Sequence, residues 1–178
     1  FTREMIIKEI SNIKSNSAPG PDHFPVFLLQ QCAEELSEPL YLIWRHSLDT
    51  CDIAPLLKEA IICPIQKANS QHCHPKSYRP VSLTSHLIKI FERIVRAAIV
   101  KHLEDNDLLP RNQHGFISGR STLSQLLQQI ERMIRAWEEG KATDTIYLDF
   151  AKAFDKVDHN ILCHKIKRLG ITGKVGLW

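Results

Sequence analysis

The sequence predicts an α+β fold, helix-rich with a few strands. Three observations predict it. Apolar residues recur at helical spacing in several separate stretches, two of them long. Two shorter runs, "EAIICPIQK" at 59–67 and "TDTIYLDF" at 143–150, are instead rich in β-branched and aromatic residues. Turn-forming segments with Gly, Pro, Asn and Asp separate these stretches. With 178 residues, 43% of them apolar and 24% charged, the chain can bury a core of ordinary size.

Taken in order, Ile6, Ile7, Ile10 and Ile13 mark a short amphipathic helix within residues 2–14. "SNSAPGPDHFP" at 15–25 ends it, because two X-Pro steps around a glycine cannot continue a helix. From Val26 to about Asp49 the apolar spacing suits two short helices, with Pro39 at their junction. In the β-rich run at 59–67, Pro64 requires an edge position or a bulge. The polar, turn-prone "ANSQHCHPKSYRP" then leads into a second extended segment, which makes a hairpin-like unit. From Ser85 to Glu104, Leu87, Phe91, Ile94, Val95, Ala98 and Ile99 line one face of a long helix.

The loop "DNDLLPRNQHGFISGRST" follows, with Gly115 and Gly119. A second strong helix at 123–137 has Leu123, Leu127, Ile130, Ile134 and Trp137 on one stripe and Gly140 as its stop. Arg132 and Arg135 read as solvated residues of that helix. Residues 143–150 read as a buried strand ending at Asp149, a favoured place for a ligand-binding carboxylate. By itself that residue is equally a loop residue after a strand. "DHNILCHKIKRLG" closes the series as a helix, with Asp158 as cap, Ile161, Leu162, Ile166 and Leu169 inside, and Gly170 as stop.

Net charge is +3 and unevenly spread. Residues 1–57 carry 4 Lys/Arg against 8 Asp/Glu, whereas residues 58–101 carry 8 against 2. That basic middle is suited to a polyanion, and equally to a solvated helix face. No run of about 18 apolar residues is present, so no membrane span is expected. "FTREMIIKEI" lacks the basic-then-apolar layout of a signal peptide, and both ends read as cut from a longer chain. Five cysteines without a CxxC pair point to reduced intracellular thiols. Zinc is not expected at Cys63, His72, Cys73 and His74, because the adjacent ligands lack the usual spacers.

Four blocks carry more than this. "SAPGPDHFP", "SYRPVSLTSHLIKIFERIV", "NQHGFISGRST" and "IYLDFAKAFDKVDH" stand in an order and spacing that closely resemble the reverse transcriptases of non-LTR (LINE-type, jockey-like) retrotransposons. The resemblance implies a right-hand polymerase, of which this chain supplies the fingers and a partial palm. Residues 1–57 would form an amino-terminal helical extension bearing the APGPD block, 58–140 the fingers, and 141–178 the start of the palm. The implied activity is RNA-directed DNA synthesis, the Mg²⁺-dependent transfer of a nucleotide from dNTP to a primer 3′-hydroxyl. The implied partners are an RNA template, a DNA primer and dNTP. An upstream endonuclease domain and access to the nucleus are implied for the full-length protein.

By the same resemblance, Asp149 is the catalytic carboxylate that binds two Mg²⁺ ions, with the main-chain carbonyl of Phe150 beside it. Lys67 and Arg79 would grip the triphosphate. Phe154 would be the aromatic gate against the ribose 2′-hydroxyl, and Gly115 and Arg120 would lie near template or nucleotide. The residue types suit that chemistry: hard carboxylates hold Mg²⁺, and cations offset the charge of departing pyrophosphate. Read without the resemblance, Phe154 is a core residue, Lys67 and Arg79 are surface charges of a hairpin, and Asp155 is structural.

The chain also departs from the pattern. The Tyr/Phe-Ala-Asp-Asp block that would supply further carboxylates does not occur in these residues, and Asp149 alone cannot hold two metal ions. His23 stands where the family usually has glycine in a turn that favours positive φ. Ile117 stands where an arginine is common, and His114 replaces an aromatic or small residue. The expectation is therefore that these 178 residues alone do not polymerise. The competing reading is a catalytically inactive retroelement remnant that at most binds nucleic acid. A generic helix-turn-helix module is disfavoured, since no such signature precedes a basic recognition helix.

Overall fold

The computed structural model describes residues 1–68 and 73–178. The chain forms two compact units, the first comprising Phe1–His102 with Gly170–Trp178 and the second Leu103–Leu169.

In the first unit, α1 (Arg3–Ser11) starts at Thr2, whose hydroxyl accepts from the Met5 N–H. Ile6, Ile10 and Ile13 are buried, as their spacing predicts. They pack with Val26 and Leu29 of α2 (Val26–Gln31) and with Leu40 and Trp44 of α3 (Ala33–Thr50). Ile88, Ile90, Phe91, Ile94 and Val95 of α4 (His86–Asp105) complete the core. Ala98, expected on the same face, is exposed. The short α7 (Gly173–Leu177) returns to α3, where the Lys174 ammonium pairs with Asp49 and the Trp178 indole N–H donates to Ser47 Oγ at 2.9 Å.

The expected junction at Pro39 is corrected. The break between α2 and α3 falls at Cys32 (φ −103°, ψ 27°), and Pro39 lies inside α3. Proline removes one N–H donor from the helix, but buried Leu40 and Trp44 beyond it hold the helix through to Thr50.

β1 (Ala60–Gln66) and β2 (Tyr78–Thr84) form a two-stranded antiparallel ribbon, so each is an edge strand. Pro64 stands opposite Pro80. Neither residue has an N–H, so this pair must occupy a non-hydrogen-bonded position of the ladder. The alternation continues past the strand end, where the Lys67 N–H donates to the Ser77 carbonyl at 2.8 Å. Slipping the register by one residue would put a proline where a donor is needed, so the two prolines fix the pairing.

The second unit holds α5 (Thr122–Glu138) and α6 (His159–Arg168). A capping box of Ser121 and Ser124 opens α5. It closes where expected: Gly140 has φ +69°, its N–H reaches Trp137 O at 2.9 Å and the Lys141 N–H reaches Ala136 O at 2.8 Å. Asp158 caps α6 through the N–H groups of Asn160 and Ile161, at 2.8 and 3.0 Å. Gly170 (φ +83°) follows the end of α6.

Two expectations fail here, and the stripe Leu123, Leu127, Ile130, Ile134 and Trp137 of α5 lies exposed. On α6, Ile161 and Leu162 are exposed and only Ile166 is half-buried. The strand at 143–150 is absent: these residues form no ladder, and Ile146, Tyr147 and Leu148 are exposed. The physical reason is pairing. A strand needs a neighbour for its N–H and C=O groups, and the only ladder among the described residues is β1–β2.

Candidate active site

Lys67 and Arg79 belong to the first unit. Arg79 lies opposite Ile65 in the ladder. By the two-residue alternation of a strand, Lys67 falls on the same face one step further along. The register thus brings both cations to one face at the loop end of the ribbon, and both are exposed. The Lys67 ammonium donates to the Lys76 carbonyl at 2.8 Å, which ties the base of the loop. The cluster at 72–75 falls partly on His72, which lies outside the described residues.

Gly115, Arg120, Asp149, Phe150 and Phe154 belong to the second unit. Three polar ties hold its loop to α5. Arg132 donates to Asn112 Oδ1 at 2.8 Å. His114 bonds Ser124 Oγ through Nδ1 at 2.8 Å and Gln128 Oε1 through Nε2 at 3.1 Å. Arg120 Nη1 faces the carbonyls of Pro110, Arg111 and Gln113 at 3.2, 2.8 and 2.5 Å. Arg120 is therefore first a staple across its own loop, with Nε and Nη2 left for any further partner.

Arg132, expected to be solvated, is part of this tie, whereas Arg135 pairs with Glu131 on the helix surface. Gly115 needs no special backbone, since an added Cβ would meet Gln113 Nε2 at an ordinary 3.7 Å. Gly119, at φ +74°, sits where glycine is favoured.

Phe154 is 80% exposed, and its ring stands edge-on to Phe116 with centroids 6.3 Å apart and planes 89° from parallel. It is not a core residue. Phe116, at φ +64°, is the one side chain facing Phe154 that sequence reasoning missed. Its only signal was its place inside the "HGFISGRST" block.

Asp149 and Phe150 are exposed, in a segment without regular structure rather than at a strand end. Among the described residues, no three His, Cys, Asp or Glu side chains gather as a metal ion would require. The donor set present does not fit a pair of Mg²⁺ ions: Asp149 offers one carboxylate and two-metal chemistry needs at least one more.

Residues 65–178 match the family described as reverse transcriptase (RNA-dependent DNA polymerase). The chain belongs to that family. Its relatives are enzymes of mobile elements of the non-LTR type. It is 29% identical over 166 residues to the probable RNA-directed DNA polymerase from transposon BS of Drosophila melanogaster. It is 30% identical over 165 residues to that from transposon X-element of the same fly. To the RNA-directed DNA polymerase from mobile element jockey it is 29% identical over 168 residues. These matches cover 93 to 94% of this chain and 18% of each relative, so the chain spans under a fifth of their length. Among the described residues, no helix is long and apolar enough to cross a membrane.

Proposed function

We propose that this chain is the nucleotide- and template-gripping part of a retrotransposon reverse transcriptase, which copies RNA by adding dNTP to a primer 3′-hydroxyl. The observation that carries the proposal is the ordered series of four blocks, from APGPD to LDFAKAFD, within a match covering 93% of the chain. In this reading residues 1–57 are an amino-terminal extension, 58–140 the fingers and 141–178 the start of the palm. In the full-length protein an endonuclease domain precedes them, and the enzyme works on nuclear DNA.

Lys67 and Arg79 hold the triphosphate of the incoming nucleotide. Their shared face and exposure support that role, because two cations on one ribbon face can meet two phosphates. Phe154 excludes a ribose 2′-hydroxyl by shape, and the perpendicular Phe116 ring limits how far it can swing. Gly115 and Arg120 lie along the template, with Arg120 also setting the shape of its own loop. Asp149 is a metal ligand, helped by the Phe150 carbonyl. Further carboxylates from the longer protein would complete the Mg²⁺ site, and the segment at 145–150 becomes a palm strand on pairing with them. The completed site would supply charge neutralisation at the phosphates.

The test is primer extension on an RNA template by the intact enzyme. Asp149→Asn is expected to abolish extension, and undiminished activity in that variant overturns the assignment. The absence of a metal-ligand cluster among the described residues favours a second reading, an inactive remnant that binds nucleic acid. For that reading, RNA affinity of the 178-residue chain should fall steeply between about 50 and 200 mM salt.

A further inference from the structure

The APGPD segment makes a close long-range contact in the first unit, and nothing in the nucleotide-gripping role uses it. Gly20 is buried against the end of β2: a Cβ built on it would lie 2.6 Å from the Ser85 nitrogen and from the Thr84 carbonyl carbon and oxygen. All three are backbone atoms, so no side chain can be admitted by a rotamer change. On one side of this contact, Asp22 Oδ2 accepts from the Ser85 hydroxyl at 2.5 Å, and its Oδ1 accepts from the Phe24 N–H at 3.3 Å. On the other side, the His86 Nε2–H donates to the Ala18 carbonyl at 3.0 Å. Ser85 and His86 are both buried. Ser85 Oγ also accepts from the Leu87 N–H at 3.1 Å, which makes it the N-cap of α4.

Three consecutive residues, Thr84 to His86, are therefore gripped at three points by residues 18–22. Their position matters because they are the hinge between the ribbon and α4. The ribbon itself is exposed: Ile61, Ile62 and Ile65 all face solvent, and β1 and β2 rely on each other. An isolated two-stranded ribbon is marginal and free to twist. What directs it is its base.

We propose that Gly20, Asp22 and His86 are positioning residues that mount the ribbon and so fix Arg79, and with it Lys67, for the incoming nucleotide. The proposal rests on the nucleotide-gripping role assigned above to those two cations. Arg79 lies five residues from Thr84, a lever of about 17 Å at the rise of a strand. Over that length a tilt of about 10° at the base carries Arg79 by about 3 Å, which breaks a charge-assisted hydrogen bond of ordinary length. None of the three residues needs to touch the nucleotide.

The experiment is steady-state primer extension by the intact reverse transcriptase, with Gly20→Ala and Asp22→Ala made singly and each combined with Arg79→Ala. The expected result is a KM for dNTP raised at least tenfold by each single change, with kcat within about threefold and template-primer affinity unchanged. Combined with Arg79→Ala, each change should raise KM much less than it does alone, because only Lys67 is then left to be positioned. A merely structural defect would lower the active fraction and hence kcat, and would not depend on Arg79. Where Gly20→Ala fails to fold, Asp22→Asn, which keeps the side-chain shape, carries the same expectation at about threefold. A normal KM in the Gly20 and Asp22 variants, or effects that multiply with Arg79→Ala, overturns the proposal. So does an unchanged KM in Arg79→Ala alone. The broader reading fails separately, when the unmutated enzyme does not extend a primer or Asp149→Asn does.

Discussion

Phe91 lies flat against Trp44, with ring centroids 5.1 Å apart and planes 10° from parallel. Both rings are almost wholly buried, and Trp178 meets the same phenyl edge-on at 5.0 Å. Phe91 is thus the shared partner of α3 and the returning chain end. Phe91→Ala should cost about 3–5 kcal/mol in unfolding free energy, read from a denaturant midpoint at unchanged slope. Trp44→Phe should cost under about 1.5 kcal/mol, because the buried Trp44 Nε1–H has no acceptor among the described residues and its removal offsets part of the lost area.

Asp49 accepts from Lys174, and this hydrogen bond is the main reason its carboxyl lies below the usual carboxylate range, with Arg45 assisting. A depressed carboxyl contributes stability above its unfolded value of 3.8 and loses it as pH falls through the folded value. Docking of α7 on α3 should therefore be constant at neutral pH and weaken only below pH 3.8. The indole N–H resonance of Trp178, bonded to Ser47 in the docked state, reports it. Asp49→Asn should remove the pH dependence of that signal.

His23 has φ +52°, the conformation for which a glycine is the better choice. His23→Gly should stabilise the first unit by about 0.5–1 kcal/mol, measured by thermal or urea unfolding. A loss of stability would mean that the imidazole makes up for its backbone.

The α5 stripe and the segment at 146–150 leave many large apolar side chains in water on the second unit. The isolated chain should self-associate with rising concentration. Leu127→Glu with Ile130→Glu should suppress that in light scattering. Because both residues are already exposed, unfolding free energy should change by no more than about 0.5 kcal/mol per substitution.

Local signals in the sequence proved legible where the determinant is itself local. The extents of α4, α5 and α6 follow from 3.6-residue spacing, and their ends from Asp158, Gly140 and Gly170, because a cap or a left-handed stop acts within a few residues. The edge character of Pro64 was legible for the same reason, whereas the positive φ at residue 23 was implied only by the glycine usual there in the family the chain resembles. Amphipathicity of α5 was legible, but burial was not: a stripe says that a face can be covered, not that something covers it. Asp149 illustrates the same limit. Its strand depends on a partner strand, and β-propensity without a ladder leaves the segment open. Pro39 misled because its helix is held by Leu40 and Trp44 packing rather than by local preference. The Asp22–Ser85 contact spans 63 residues, and no spacing rule reaches that far.

The first unit is left by the chain at His102 and rejoined at Gly170, and these two positions touch: a Cβ at Gly170 would lie 3.1 Å from the His102 ring. Everything between them is, topologically, a guest lodged in a host whose two doorposts stand side by side. A host of that kind loses little when its guest changes size, since the entropy of closing a loop grows only slowly with length. Residues 103–169 could therefore lengthen, shorten or be exchanged for a short linker during descent while the frame carrying Lys67 and Arg79 persists.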